Sequence, residues 1–102
     1  MIRVRQTFAY DHPATRGHFP SHPILPGAFL LDAAIRAISA QHGLPCDRWV
    51  VESVKFPRSV LPGQSVDWEL DDPVIKETGS VVKFRASAGG ETVILGTLLY
   101  SM

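Results

Sequence analysis

Gly17-His18-Phe19-Pro20-Ser21-His22-Pro23-Ile24-Leu25-Pro26-Gly27-Ala28-Phe29-Leu30-Leu31-Asp32-Ala33 begins as a stiff loop and ends as an apolar helix. Pro20, Pro23 and Pro26 fix φ at every third position and forbid a helix through the loop. Pro26 stands where a helix can start, because the first helical position tolerates a missing N–H. From Ala28 to Ile38 the residues are apolar almost all round, with Asp32 among them. A helix without a polar face belongs inside a core, and a carboxylate placed there is costly. The segment therefore predicts one buried helix from about Gly27 to Gln41. His42-Gly43 stops it, and Pro45 follows.

Outward from this helix the pattern is one of strands. Residues 2–10 alternate, with Ile2, Val4, Thr7 or Phe8, and Tyr10 expected on one face and a bulge expected to interrupt the period. Asp11-His12-Pro13 ends that strand by turn chemistry. Beyond the helix, Trp49 to Phe56 is rich in β-branched and aromatic residues. Pro62-Gly63 reads as a tight turn. Val66, Trp68 and Leu70 alternate with charged residues, and Asp72-Pro73 breaks or bulges the strand. Val82, Phe84 and Ala86 alternate again, Gly89-Gly90 makes a hairpin, and Thr92 to Tyr100 is a long apolar strand with Gly96 at an expected bulge. An α+β fold follows, with about five antiparallel strands wrapped around one buried helix. Such a sheet leaves open edges, which strand-to-strand dimerisation would protect.

The 102 residues suffice for a single domain spanning 1–102. Net charge is zero, which argues against a nucleic-acid partner. Residues 1–66 carry seven Lys/Arg against four Asp/Glu, and the remainder three against six, so one end is mildly basic and suits an acidic partner. Cys46 is the single cysteine, which rules out an internal disulfide and fits a reducing compartment. No run of 18 apolar residues and no signal-peptide core is present, so a cytoplasmic protein with no membrane association is expected.

The residues Gly17-His18-Phe19-Pro20, Pro23, Pro26-Gly27 and Asp32-Ala33 resemble the signature of the FabA/FabZ-type 3-hydroxyacyl-[acyl-carrier-protein] dehydratases, which have the hot-dog fold. Val54-Lys55-Phe56-Pro57-Arg58-Ser59-Val60-Leu61-Pro62-Gly63 is similar to that family's second landmark, a strand ending in a basic residue and a Pro-Gly turn. The resemblance implies that His18 is the catalytic histidine and Asp32 the catalytic carboxylate. It implies that the amide at Gly27 contacts the thioester carbonyl, with Phe19 and Pro26 beside the substrate. It also implies that histidine and carboxylate come from different subunits of a dimer, either a homodimer or a heterodimer with a related hot-dog subunit. Asp at position 32 is the FabA choice, where the FabZ branch has Glu, although the chain is much shorter than a FabA protein. The short form also resembles dehydratases of polyketide-like and aryl polyene pathways.

These residue types suit the chemistry. Dehydration removes a proton from C2 and hydroxide from C3 of the acyl chain. Histidine is matched to the first task near neutral pH. A carboxylic acid kept protonated by apolar surroundings helps the hydroxyl depart as water, which the neighbours Phe29, Leu30, Ile35 and Ile38 would favour at Asp32. The free N–H groups at a helix N-terminus face the charge that builds on the thioester oxygen, and glycine admits close approach. No metal or organic cofactor is required.

Competing readings attach to the same residues. Arg36 lies four positions after Asp32, a spacing that favours an ion pair, and the family commonly has Gln there. Such a pair would keep the carboxylate from serving as an acid, and keeps open a non-catalytic role as the supporting subunit of a catalytic partner. A hot-dog thioesterase has no need of His-Phe-Pro. Ala14-Thr15-Arg16 replaces residues that are often aromatic in the family. Arg16, Lys55 and Arg58 are surface charges that, in the family's manner, would meet an acidic acyl carrier protein. His12, His18, His22 and Cys46 lack metal-site spacing, so no metal is expected. Trp49 and Trp68 are expected in the core or a dimer contact.

Overall fold

The structure, a computed structural model, describes residues 1–8 and 25–101. In chain order these form β1 (Ile2–Thr7), α1 (Gly27–His42), a single 3-10 turn (Cys46–Arg48), β2 (Trp49–Lys55), β3 (Ser65–Leu70), β4 (Val74–Lys76), β5 (Gly79–Ala88) and β6 (Glu91–Ser101). The strands make one antiparallel sheet in the order β1-β3-β5-β6-β2, and β4 pairs with β5. β4 is the addition to the five expected strands. Asp72-Pro73 separates it from β3, and it resumes pairing on the same neighbour, Val74 opposite Val81.

One face of the sheet buries Val66, Trp68 and Leu70 of β3, Val82, Phe84, Ala86 and Ala88 of β5, and Val93, Ile94 and Leu98 of β6. Leu30, Ala33, Ala34 and Ile38 of α1 close this core. Two indoles fasten it. Trp68 is fully buried and donates its N–H to Gln6 Oε1 of β1 at 2.8 Å. Trp49 donates to Ser39 Oγ of α1 at 2.7 Å and meets Tyr100 edge to face. Each indole N–H taken from water thus finds an acceptor.

Local chemistry sets the ends of the elements. Pro26 is extended (φ −61°, ψ 145°) and stands just before the first helical residue, so Gly27, not Pro26, begins α1. Gly43 adopts the left-handed conformation that stops the helix, and its N–H reaches Ser39 O. Pro62-Gly63 forms the expected turn, with Gln64 N–H to Leu61 O at 3.1 Å and Gly63 at φ 87°. Gly89 and Gly90 both have positive φ, as a two-residue hairpin requires.

Two expectations need correction. β1 carries no bulge: it alternates Ile2, Val4 and Gln6 inward against Arg3, Arg5 and Thr7 outward, in unbroken register with β3. It ends at Thr7, which lies on the outer face with Arg3 and Arg5, and Tyr10 lies outside the described residues. Gly96 is not the bulge either. The register of the β2–β6 pair shifts between Val51 and Ser53, so Glu52 is the extra residue. Gly96 serves close approach instead. A Cβ there would stand 2.5 Å from Ser53 O and 3.0 Å from the Phe84 ring.

Candidate active site

The two sequence landmarks meet at the start of α1. Leu25 N–H donates to Val60 O at 2.9 Å, and the two residues form an antiparallel bridge. Gly63 N–H donates to Phe8 O at 2.8 Å. The Gln64 side chain accepts from Leu61 N–H at 2.9 Å and keeps the turn rigid. Phe8 and Leu25 flank the segment that carries His18. Both of that segment's ends are therefore fastened to the short stretch Val60–Gly63. The rings of Phe8 and Phe29 pack edge to face at 5.1 Å, which ties the first end to α1 as well.

At the helix start, the Phe56 ring lies over Gly27, where a Cβ would be 3.1 Å from the ring. Phe56 is 43% exposed although it touches α1. A recess of about 180 Å³ opens here, lined by Leu25, Gly27, Leu30, Phe56, Pro57, Arg58 and Ser59. Pro26 offers no side-chain cap, and Phe29 N–H already donates to Pro26 O at 3.1 Å, which leaves Gly27 and Ala28 as the uncapped first-turn amides at the positive end of the helix dipole. The expected carbonyl-binding residue Gly27 therefore lines a recess, and Pro26 immediately precedes it. Sequence reasoning does not bring Phe56 to this site. Its aromatic character at the end of β2 is visible in the sequence, but its pairing with Gly27 is a tertiary event.

Asp32 departs from expectation. α1 is not apolar all round in space: Ala28, Asp32, Arg36 and Ala40, four residues apart, form an exposed stripe. Small alanines let that face stand open, and 55% of the Asp32 side chain is accessible. The desolvation expected from Phe29, Leu30, Ile35 and Ile38 is not supplied by this chain alone. Arg36 Nε donates to Asp32 Oδ2 at 2.7 Å, the ion pair that the spacing allowed. The hydrogen bond to Asp32, and then the carboxylate's charge, push the guanidinium further above its ordinary value.

The expected docking residues divide. Arg58 lines the recess beside Gly27, and its Nε pairs with Glu91 at 2.9 Å. Lys55 lines a different cleft, on the outer face of the sheet, with Glu69, Lys83 and Arg85. Arg16, His18, Phe19, His12 and His22 lie outside the described residues. Cys46 is free and exposed. Among the described residues, no group of three His, Cys, Asp or Glu side chains is placed to hold a metal, and no helix is long and apolar enough to cross a membrane.

Comparison with known proteins extends this picture. Relatives include the 3-hydroxyacyl-[acyl-carrier-protein] dehydratase FabZ of Thermus thermophilus, 31% identical over 107 residues that cover 97% of this chain and 75% of that one. Among solved structures, the dehydratase heterocomplex ApeI:P from Xenorhabdus doucetiae superposes with a TM-score of 0.75 at 22% identity, over 98% of this chain and 86% of that one. The (R)-hydratase of A. caviae involved in PHA biosynthesis superposes at 0.77 with 17% identity, over 99% and 93%. At these identities the structures share the hot-dog fold and nothing finer. The family model for ApeI-like proteins, described as ApeI dehydratase, matches residues 1–97. With the recess at Gly27 and the carboxylate of Asp32 on one helix, and that match spanning nearly the whole chain, the protein belongs to the ApeI-like dehydratases, kin of the FabZ enzymes.

Proposed function

We propose that this dehydratase converts 3-hydroxyacyl thioesters on an acyl carrier protein to trans-2-enoyl thioesters, in the cytoplasm, for fatty acid or polyketide-like biosynthesis. His18 takes the C2 proton. The Gly27 amide and helix dipole stabilise the negative charge on the thioester oxygen. Asp32, paired with Arg36 as a carboxylate, accepts a hydrogen bond from the 3-hydroxyl and orients it, in place of the acid role expected from the sequence. The His18 imidazolium returns the C2 proton to that hydroxyl as the C3–O bond breaks, so that water leaves. Phe19 and Pro26 border the acyl chain. Arg16, Lys55 and Arg58 face the acidic carrier.

The observation that carries this reading is the convergence at Val60–Gly63. It fastens both ends of the His18 segment beside the start of the helix that bears Gly27 and Asp32. Asp32 faces out from its own core, which supports a site completed by a second subunit, identical or a related hot-dog chain. We place that contact along the edge of β2 that no strand among the described residues pairs. A continuous sheet across two subunits would pair the open N–H and C=O groups there and cover Val50 and Val51.

Intact-mass analysis of a 3-hydroxyacyl carrier protein incubated with the purified chain tests the reading. Loss of one water is expected, and His18→Ala and Asp32→Asn each reduce the rate by about 10²–10⁴-fold. Product that forms only with a related hot-dog subunit, and is unchanged in Asp32→Asn, would assign this chain the supporting, non-catalytic role. Release of free acid would make it a thioesterase.

A further inference from the structure

We propose that Arg36 is a positioning residue of this site: it holds Asp32 Oδ2 and leaves Oδ1 as the oxygen that meets the substrate's 3-hydroxyl. The inference rests on the reading above and adds to it a residue that chemistry at His18, Asp32 and Gly27 does not require.

The geometry is specific. Arg36 Nε reaches Oδ2 at 2.7 Å, and the single hydrogen bond goes to one carboxylate oxygen only. Oδ2 is occupied, and a carboxylate has a second oxygen with its own lone pairs. Both side chains lie on the open stripe of α1, with 71% of Arg36 and 55% of Asp32 accessible. An aspartate on such a surface, with no neighbour, would sample several rotamers. The charge-assisted bond selects one of them. Among the described residues, nothing else bonds to the Asp32 side chain, so its orientation depends on Arg36. As an exposed ion pair the contact is a poor source of stability, which leaves orientation as what it provides. Placement within an ångström governs the rate of a proton transfer at a fixed substrate.

The test is steady-state kinetics of the purified chain, in the assembly it forms, with a 3-hydroxyacyl carrier protein. Arg36→Met keeps the aliphatic stem and removes the donor. It is expected to lower kcat about tenfold or more with KM within about twofold of wild type. Arg36→Gln restores a neutral donor and is expected to recover most of kcat. In an Asp32→Asn background, Arg36→Met is expected to have no further effect, because the two residues act as a unit. The proposal is overturned if Arg36→Met keeps full kcat, or if its effect adds fully to that of Asp32→Asn. It is also overturned if KM for the carrier rises with salt-dependent binding while kcat holds, which would make Arg36 a docking charge. A wild type that yields no enoyl product overturns the function and this inference together. An active wild type with an indifferent Arg36→Met overturns the inference alone.

Discussion

The two edges of the sheet are built differently. The β1 edge presents Arg3 and Arg5 on its outer face, and Arg5 forks onto Asp67 of β3 with Nε–Oδ1 2.7 Å and a second bond of 3.3 Å. Charges on an outer strand discourage another strand from pairing with it. The β2 edge runs Val50, Val51, Glu52 and Ser53, all exposed, with Val50 at 50% and Val51 at 39%. Only the bulge residue Glu52 puts a charge within that run. On the β1 side the short strand β4 also exposes Val74 and Ile75. Among the described residues, charge guards β1 and not β2. Each is also pinned to the core by an indole, Trp68 to Gln6 at the guarded edge and Trp49 to Ser39 at the open one. The strand proposed as the subunit contact, β2, leads into Phe56 and the recess.

The largest effect is expected from breaking that asymmetry. Val50→Lys with Val51→Lys guards the β2 edge as β1 is guarded. If the proposed site is shared between subunits, size-exclusion chromatography with light scattering should show a monomer and dehydration should fall to background. A variant that remains a dimer with full activity would place the interface elsewhere. Next comes Trp68→Ala. Removing a fully buried indole and its bond to Gln6 should cost about 3–5 kcal/mol in chemical denaturation, with loss of β1 order before the rest. At the open edge the matching change is milder. Trp49→Phe keeps an aromatic ring and loses the bond to Ser39, so about 1 kcal/mol is expected from the same measurement.

The smallest effect concerns acid stability at the guarded edge. The hydrogen bond from Arg5, more than its charge, holds the Asp67 carboxyl below its ordinary value. A carboxyl depressed in the folded state adds stability that is complete above its unfolded pKa and lost as pH falls through the folded one. Thermal melts of wild type and Arg5→Met should therefore differ above about pH 4, the ordinary carboxylate value, and converge below it. The pair is exposed, so the difference is small. Melts that stay parallel down to the lowest pH would show that Arg5 acts on the edge without this pair.

Much of this fold is legible in the order of its residues. The alternation of Val66, Trp68 and Leu70, the Gly89-Gly90 hairpin and the Pro62-Gly63 turn are short-range signals, and each appears where its chemistry demands. The position of the bulge is not legible in the same way, because a glycine in a strand can mean either an extra residue or close approach. Gly96 is the second, since it makes room for Phe84 and Ser53 O. The exposure of Asp32 escapes the sequence for a related reason. Counting apolar letters from Ala28 to Ile38 gives alanine the weight of leucine, yet Ala28 and Ala40 line an exposed stripe.

By itself the sequence determined the element order apart from β4, the turns and the family, because these depend on backbone preferences, on periodicity and on residue types at fixed spacing. The tertiary structure alone decided that Val60–Gly63 clamps Phe8 and Leu25, that Phe56 covers Gly27, and in what order the strands pair. Those are contacts between residues far apart in the chain. No local rule sets them, because they follow from which surfaces the sheet leaves uncovered once its core has closed.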